Sequence, residues 1–261
     1  MFKNITLTAI IFLILTNTSL AQTSKTSASL GSASAAALAY FENVHNQSFD
    51  SYLKNIRPGR LSPELKARVL AMLRKEDLVS PSAEGRDKLV ALKPVLEYHD
   101  RSLVIDPKVI RVGQAVVMLL AGAAVLISQE ALDMLTAEEL QAVVAHELGH
   151  EYFWNEYEQA RQNKHNDKLQ ELELRCDGLA VITMSRLGLD PSHFISAISK
   201  LTKSHKGKLI NGEFYASLDE RIRFIREMVE MIKARERAKG TIGQIGWPVK
   251  SLANRVAVTP R

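Results

Sequence analysis

The residues of this sequence that could do chemistry are concentrated in one pentapeptide, His146-Glu147-Leu148-Gly149-His150. On an α-helix, two histidines at this spacing project from the same face and can both bind one zinc ion. Glu147 can lie beside such an ion without binding it and accept a proton from a metal-bound water, whose pKa the metal lowers to about 7. The pattern predicts a hydrolytic zinc centre with His146 and His150 as ligands and Glu147 as general base.

A catalytic zinc ion also requires a third protein ligand and an open fourth position. No third histidine follows closely, because the residues after His150 are Glu-Tyr-Phe-Trp-Asn. Further along the chain, Glu173 and Asp177 share one helix face by their spacing. One carboxylate can bind the metal while the other orients a ligand histidine through its free ring N–H. We favour Glu173 as the ligand over its rival Glu171, which has no carboxylate partner one helical turn later.

Composition restricts the kind of site further. The chain has 261 residues, of which 46% are hydrophobic and 24% charged, so collagen-like, fully disordered and polytopic membrane classes are excluded. The net charge of +5 is dispersed, and no nucleic-acid partner is expected. The single cysteine, Cys176, excludes an intrachain disulfide and a multi-cysteine zinc site. We expect Cys176 to be a small buried residue; the alternative is a thiolate that reaches the metal.

The elements that must position these residues have local signals. Thr136 and Glu139 have the spacing of a capping box, which predicts the start of the helix that carries the two histidines. In that helix Gly149, a poor helix former, predicts close approach of another element. Between the two ligand helices, the polar stretch 155–168 predicts a surface excursion.

Sheet signals precede the metal motif. Residues 112–128 carry no charge, but Gly113 and Gly122 favour two buried strands, near 116–120 and 125–128, over a membrane-spanning helix. Residues 91–98 predict another strand, at a sheet edge because Pro94 cannot donate a ladder hydrogen bond.

The chain begins with a basic residue, a short apolar run and small residues at positions 19 and 21. This pattern predicts a signal peptide, 1–21, cleaved after Ala21; an uncleaved membrane anchor is the alternative. We therefore expect a periplasmic or secreted protein with no integral membrane span after cleavage. Residues 22–60 predict a Ser/Ala-rich flexible lead-in, although its alanines between 33 and 39 could extend a helix into Tyr40 and Phe41. Residues 61–235 are the expected zinc metallopeptidase domain, and residues 236–261 an irregular tail.

Residues from about Ala91 to Met231 resemble the HtpX-like metallopeptidases, gluzincins that include the CAAX prenyl endopeptidases and the BepA- and OMA-type proteases. The resemblance rests on the pentapeptide, the preceding Leu-Thr-Ala-Glu-Glu-Leu and the Glu173-x-x-x-Asp177 pair. It implies an α+β, mostly helical fold with a small sheet beside the zinc helix. It also implies one Zn2+ per chain, with His146, His150 and Glu173 as ligands, Asp177 behind them and Glu147 as base.

The same resemblance implies a polypeptide substrate. An extended peptide would pair with a substrate-binding edge at Leu126, Ile127 and Ser128 by β-augmentation. The expected function is that of an exported zinc endopeptidase that cleaves envelope or secreted proteins, including misfolded ones. The competing hypothesis is a pseudopeptidase that keeps zinc and the peptide groove but acts as a chaperone or adaptor. A purely structural zinc domain is a third hypothesis.

One departure from the family lies near the C-terminus. The family usually has a His-Pro pair shortly before an Arg-Ile step, and here Tyr215-Ala216 precedes Arg221-Ile222. A phenol can donate a hydrogen bond to an oxyanion. Tyr215 and Arg221 are therefore candidate catalytic residues, with packing as the alternative for Tyr215 and a solvated helix start as the alternative for Arg221.

Overall fold

A computed structural model describes residues 30–44, 47–205 and 215–238 of the chain. This part is mostly helical with one three-stranded sheet, which confirms the α+β, mostly helical class. The predicted signal peptide, its cleavage point and the tail from residue 239 onward lie outside the described residues. The helices are α1 (Leu30–Glu42), α2 (Phe49–Asn55), α3 (Pro63–Leu70), α4 (Ala83–Val90), α5 (Lys93–Tyr98), α6 (Gln129–Met134), α7 (Ala137–Gln162), α8 (Asn166–Leu187), α9 (Ser192–Ser204) and α10 (Leu218–Ala238).

The sheet has the strand order β1–β3–β2, with β1 (Asp106–Ile110) parallel and β2 (Val117–Leu120) antiparallel to the central β3 (Ala124–Ser128). The two strands predicted in the uncharged segment are confirmed. Ala121 (φ 44°) and Gly122 (φ 67°) form the turn between them. Two successive residues with positive φ are typical of a tight hairpin turn whose twist matches that of the strands. Within the described chain, every helix is too short or too polar to cross a membrane.

The predicted substrate-binding edge at Leu126, Ile127 and Ser128 is wrong. These residues belong to β3, which is wholly buried and has a neighbouring strand on each side. A peptide cannot add to a strand whose two edges are already paired. Ser128 instead caps α6, because its hydroxyl accepts the backbone N–H of Ala131 at 3.0 Å. The same hydroxyl also accepts the backbone N–H of Val116 at 2.9 Å.

The prediction of a flexible lead-in over 22–60 is also wrong for its described residues. Helix α1 packs against α8 and buries Ala33, Ala37 and Phe41. The Phe41 ring fills the space beside Gly178, where an added Cβ would collide with it. The small alanine side chains let α1 approach α8 closely, so a composition that indicated disorder makes a helix-packing surface instead. The folded unit begins before residue 61.

One further local prediction is wrong, and another is right only about surface exposure. Residues 93–98 form helix α5 instead of an edge strand, because Pro94 lies in the first helical turn, where its missing N–H costs nothing. The expected excursion at 155–168 is the end of α7 and the start of α8, joined by a short turn with Lys164 at φ 55°. Its polar residues cover exposed helix surface. Helix α10 continues three residues beyond the predicted domain end, to Ala238.

His99, just after α5, is a buried polar residue of the core. Its Nδ1 lies 2.9 Å from Tyr152 Oη, and its Nε2 lies 2.9 Å from Thr183 Oγ1. Since the Thr183 hydroxyl donates its proton to the Leu179 carbonyl, His99 Nε2 must be the donor to Thr183, and Nδ1 accepts from Tyr152. Burial, with Arg57 and Arg101 nearby, lowers the pKa of His99 to about 3. The ring is therefore neutral in the folded protein.

The docking of α1 is tested by Phe41→Ala. Removal of this buried ring should lower the free energy of unfolding by about 3–5 kcal/mol, because it leaves a cavity against Gly178. Urea denaturation measures the change. Leu65→Ala, at a side chain that is 45% exposed, is the control and should change stability by less than about 1 kcal/mol. Equal midpoints for wild type and Phe41→Ala would show that α1 is not part of the core.

His99 makes stability depend on pH. Its pKa is about 3 when folded and about 6.5 when unfolded. At pH values between about 3 and 6.5, His99 is therefore protonated in the unfolded chain and neutral in the folded chain. Below about pH 6, stability should fall by about 1.4 kcal/mol per pH unit from this group. His99→Gln should flatten that part of the pH profile of denaturation midpoints, whereas the exposed His165→Gln should keep the wild-type slope. An unchanged slope in His99→Gln would contradict the assignment.

Candidate metal centre

Helix α7 carries the two histidines, and its N-terminus is fixed by the predicted capping box. Thr136 Oγ1 accepts the Glu139 N–H at 3.2 Å, and Glu139 Oε2 accepts the Thr136 N–H at 2.8 Å. Ser196 Oγ and Lys200 Nζ of α9 also donate to Glu139, at 2.6 and 2.7 Å. These contacts set the rotation of α7 two turns before His146, so the metal motif faces α8.

Helix α8 crosses α7 in close contact at Gly149. A Cβ at Gly149 would lie 2.9 Å from Cys176 Cα, so only glycine permits this approach and the predicted close contact is confirmed. Cys176 is fully buried, and its Sγ lies 3.7 Å from His150 Nδ1. The prediction of a small buried residue is confirmed. Burial raises the pKa of its thiol, which keeps it protonated beside the outer nitrogen of His150.

The crossing assembles a group of potential metal ligands. One ligand atom from each of His146, Glu147 and His150 lies within 4.8 Å of the other two. Glu173 joins them from α8, with Oε2 3.5 Å from His146 Nε2 and Oε1 3.9 Å from His150 Nε2. The Nε2 atoms of both histidines thus face the same carboxylate, which is an arrangement that three ligands of one cation could have.

Glu173 is the strongest indication that a cation belongs here. It is 1% exposed, and neither of its carboxylate oxygens has a hydrogen-bond partner. Burial acts to raise its pKa, but His150, His146 and Arg221 together hold that pKa below its usual value, which favours the ionised form. A buried carboxylate without hydrogen bonds is costly unless positive charge compensates it, and a protonated His146, with Nε2 at 3.5 Å, can supply that charge. A metal ion bound by the Nε2 atoms and this carboxylate would replace the proton and supply the same compensation.

The rival ligand, Glu171, faces a different side of α8. Its carboxylate pairs with Arg175 and, at 3.1 Å, with Lys168 Nζ. Arg175 also lies over the Tyr40 ring, with 3.7 Å between its Cζ and the ring centroid. Glu171 therefore belongs to the contacts between α1, α7 and α8, and the geometry favours Glu173 as the ligand.

Behind His146 lies a pair of buried charges. His146 Nδ1 is 2.8 Å from Asp177 Oδ1, and Arg221 donates to both oxygens of the same carboxylate, at 2.8 and 2.6 Å. Because Asp177 accepts the Nδ1–H, Nε2 is the ring nitrogen of His146 that faces Glu173 and would bind a metal. Burial lowers the pKa of His146, but Asp177 and Glu173 outweigh it and raise that pKa to about 10, so a metal ion must displace a proton.

The two candidate catalytic residues of the C-terminal segment have different places. Arg221 donates to both oxygens of Asp177, so it contacts the candidate ligand His146 only through that carboxylate. Tyr215 is close enough to Glu173 and Glu147 for their charges, with burial, to raise the pKa of its phenol. It therefore keeps its proton and remains a hydrogen-bond donor beside the metal ligands.

Two contributors were missed at the sequence level. The Tyr157 ring stands edge-on against His150, with 5.5 Å between ring centroids. It lies two helical turns after His150, and that spacing was the available signal. The second is the backbone N–H of Leu119 in β2, which donates to Glu147 Oε2 at 3.1 Å. Burial raises the pKa of Glu147, while His150 and His146 act to lower it.

No model of a known protein family matches the chain, and a search of curated proteins finds no significant relative.

Metal binding should depend on Glu173 and not on Glu171. Glu173→Gln removes a ligand charge, so zinc affinity measured by chelator competition should fall by more than the roughly 10–100-fold typical of residues that only orient ligands. Glu171→Gln, two residues away on α8, is the matched control and should bind zinc as wild type does. Equal affinities in Glu173→Gln and wild type would remove Glu173 from the site.

Proposed function

We propose that this protein is a zinc-dependent endopeptidase. The observation that carries the proposal is the buried, unpartnered Glu173 carboxylate facing the Nε2 atoms of His146 and His150, with Glu147 beside them. The resemblance of the motif and its surroundings to the HtpX-like metallopeptidases supports the same reaction. The N-terminal pattern supports export, which makes envelope or secreted proteins the expected substrates.

In this proposal each group of the site has a role of its own. His146, His150 and Glu173 would hold the metal, and Asp177 with Arg221 keeps His146 in the binding tautomer. Bound zinc would polarise the scissile carbonyl of the substrate and lower the pKa of the attacking water. Glu147 accepts the proton of the attacking water and passes it to the leaving amine.

The outer edge of β2 replaces β3 as the proposed substrate-binding edge. Val116 O accepts the Ser128 N–H at 2.9 Å, so in this antiparallel pair the alternate residues Val117 and Leu119 direct their backbone groups away from β3. The Leu119 N–H indeed points to Glu147. No described strand pairs with that edge. An extended peptide added there would run beside Glu147, with its backbone as the main determinant of binding.

Recognition through the backbone suits an enzyme that acts on unfolded segments. Main-chain hydrogen bonds are available from any sequence, whereas a folded protein has already used its own. The substrate class proposed here is therefore extended polypeptide, including misfolded exported proteins.

A pseudopeptidase remains the second candidate, and Tyr215-Ala216 is the feature that favours it. In that case the protein would bind zinc and an extended peptide at β2 but would not cleave it. A purely structural zinc domain is less consistent with the site, since structural zinc ions are usually enclosed by four protein ligands.

The reaction is tested by Glu147→Gln. This variant should keep wild-type zinc content and lose cleavage of casein by about 10²–10⁴-fold, because it keeps the shape of the side chain but cannot accept the proton. Glu158→Gln on the same helix, whose partner is Arg161, is the control and should cleave normally.

Equal cleavage by wild type and Glu147→Gln would exclude Glu147 as the base. If neither protein cleaves while both bind zinc and labelled casein peptides, the binding module is the correct function.

A further inference from the structure

Glu151 is a largely buried carboxylate, 12% exposed, next to the metal motif, and the proposed reaction does not use it. It follows Glu147 by one turn of α7, so both side chains face the β2–β3 hairpin. Glu147 Oε2 accepts the Leu119 N–H in the middle of β2. Glu151 Oε1 lies against the hairpin turn, where a Cβ on Gly122 would be only 2.6 Å from it. Helix α7 therefore contacts the hairpin at two points, one on the strand and one on the turn.

Arg101 holds Glu151 in place from the other side. It is 1% exposed, and its Nε donates to Glu151 Oε2 at 2.7 Å. Its Nη2 donates to the Pro58 carbonyl at 2.7 Å, and its Nη1 lies 3.4 Å from the Asp100 carbonyl. A buried guanidinium with fixed backbone partners cannot follow a moving carboxylate without loss of hydrogen bonds. Glu151 is thus a rigid support beneath the turn.

We propose that Glu151, fixed by Arg101, is a positioning residue that sets the β2 edge against Glu147 and thereby the register in which an extended peptide is cut. This inference rests on the proposed endopeptidase function and deepens it. Because Gly122 makes the contact from the hairpin side, the turn and the helix can be perturbed independently. Glu151 follows His150 in the chain, but its carboxylate contacts Arg101 and the turn at Gly122, so metal binding should not change.

Two variants disturb this contact from opposite sides. Glu151→Gln keeps the side-chain shape but removes the charge that pairs with Arg101. Gly122→Ala forces a methyl group against Glu151 Oε1. Gly113→Ala is the matched control, because Gly113 has a similar positive φ of 73° but no heavy atom within 4 Å of an added Cβ. It imposes the same kind of backbone strain without the collision. Circular dichroism identifies which variants fold.

The zinc-loaded full chain is measured in two ways: binding of a labelled casein peptide by fluorescence anisotropy, and casein cleavage positions by mass spectrometry with kcat and KM. Gly122→Ala and Glu151→Gln should keep wild-type zinc affinity, bind the peptide more weakly, lose roughly 10–100-fold in kcat/KM mainly through KM, and shift the cleavage positions. Gly113→Ala should match wild type in all of these.

The inference is overturned if folded Gly122→Ala or Glu151→Gln binds the peptide and cleaves at the same positions as wild type, or if Gly113→Ala shows the same shift. Failure of the enzyme proposal gives a different result. In that case wild type binds the peptide without cleaving it, and weaker binding by Gly122→Ala than by Gly113→Ala still supports the positioning role.

Discussion

The close crossing of α7 and α8 at Gly149 and Cys176 is the constraint on which the site depends. One added Cβ at Gly149 would meet the backbone of α8 at 2.9 Å, so the helices can approach this closely only with glycine at that position. The crossing places Glu173 against the Nε2 atoms of two histidines that are neighbours on α7. The polar groups of the site then lie in a space from which solvent is largely removed. Each of them therefore needs a hydrogen-bond partner or a charge of opposite sign.

The charges around this crossing form an ordered series. Arg221 neutralises Asp177, Asp177 fixes His146, and His146 faces a Glu173 carboxylate that has no hydrogen-bond partner of its own. At its end, the charge of Glu173 can be balanced by a protonated His146 or by a bound cation. Outside it, two glutamates of α7 contact the hairpin, so the helix that carries the candidate metal ligands also contacts the β2 edge that no described strand pairs with. In our proposal, the metal site and the peptide-binding edge therefore share one support, helix α7.

The sequence predicted what depends on local spacing. The capping box at Thr136, the close approach at Gly149 and the two strands of the hairpin follow from patterns within a few residues, and the structure confirms them. Among features that depend on distant partners, Glu173 and Asp177 lie against His146 as the motif spacing had indicated, whereas others were predicted wrongly. The Ser/Ala-rich composition around α1 indicated a flexible segment, although its alanines could also extend a helix, and the packing against α8 decides for the helix. The predicted substrate-binding edge on β3 does not exist because β1 pairs with it. No sequence pattern had indicated β1, which contains Pro107. Glu151 gave no signal because its partner, Arg101, is fifty residues away.

The central claim is that Glu173, His146 and His150 bind a zinc ion, while Glu147 lies beside the ion without binding it. Anomalous diffraction at the zinc edge from crystals of the zinc-loaded protein tests this most directly. We predict one peak per chain, about 2.0–2.2 Å from both Nε2 atoms and from a Glu173 oxygen, with the Glu147 carboxylate farther away. No peak at this crossing, or a peak bonded to Glu147 while Glu173 stays unbound, would contradict the account.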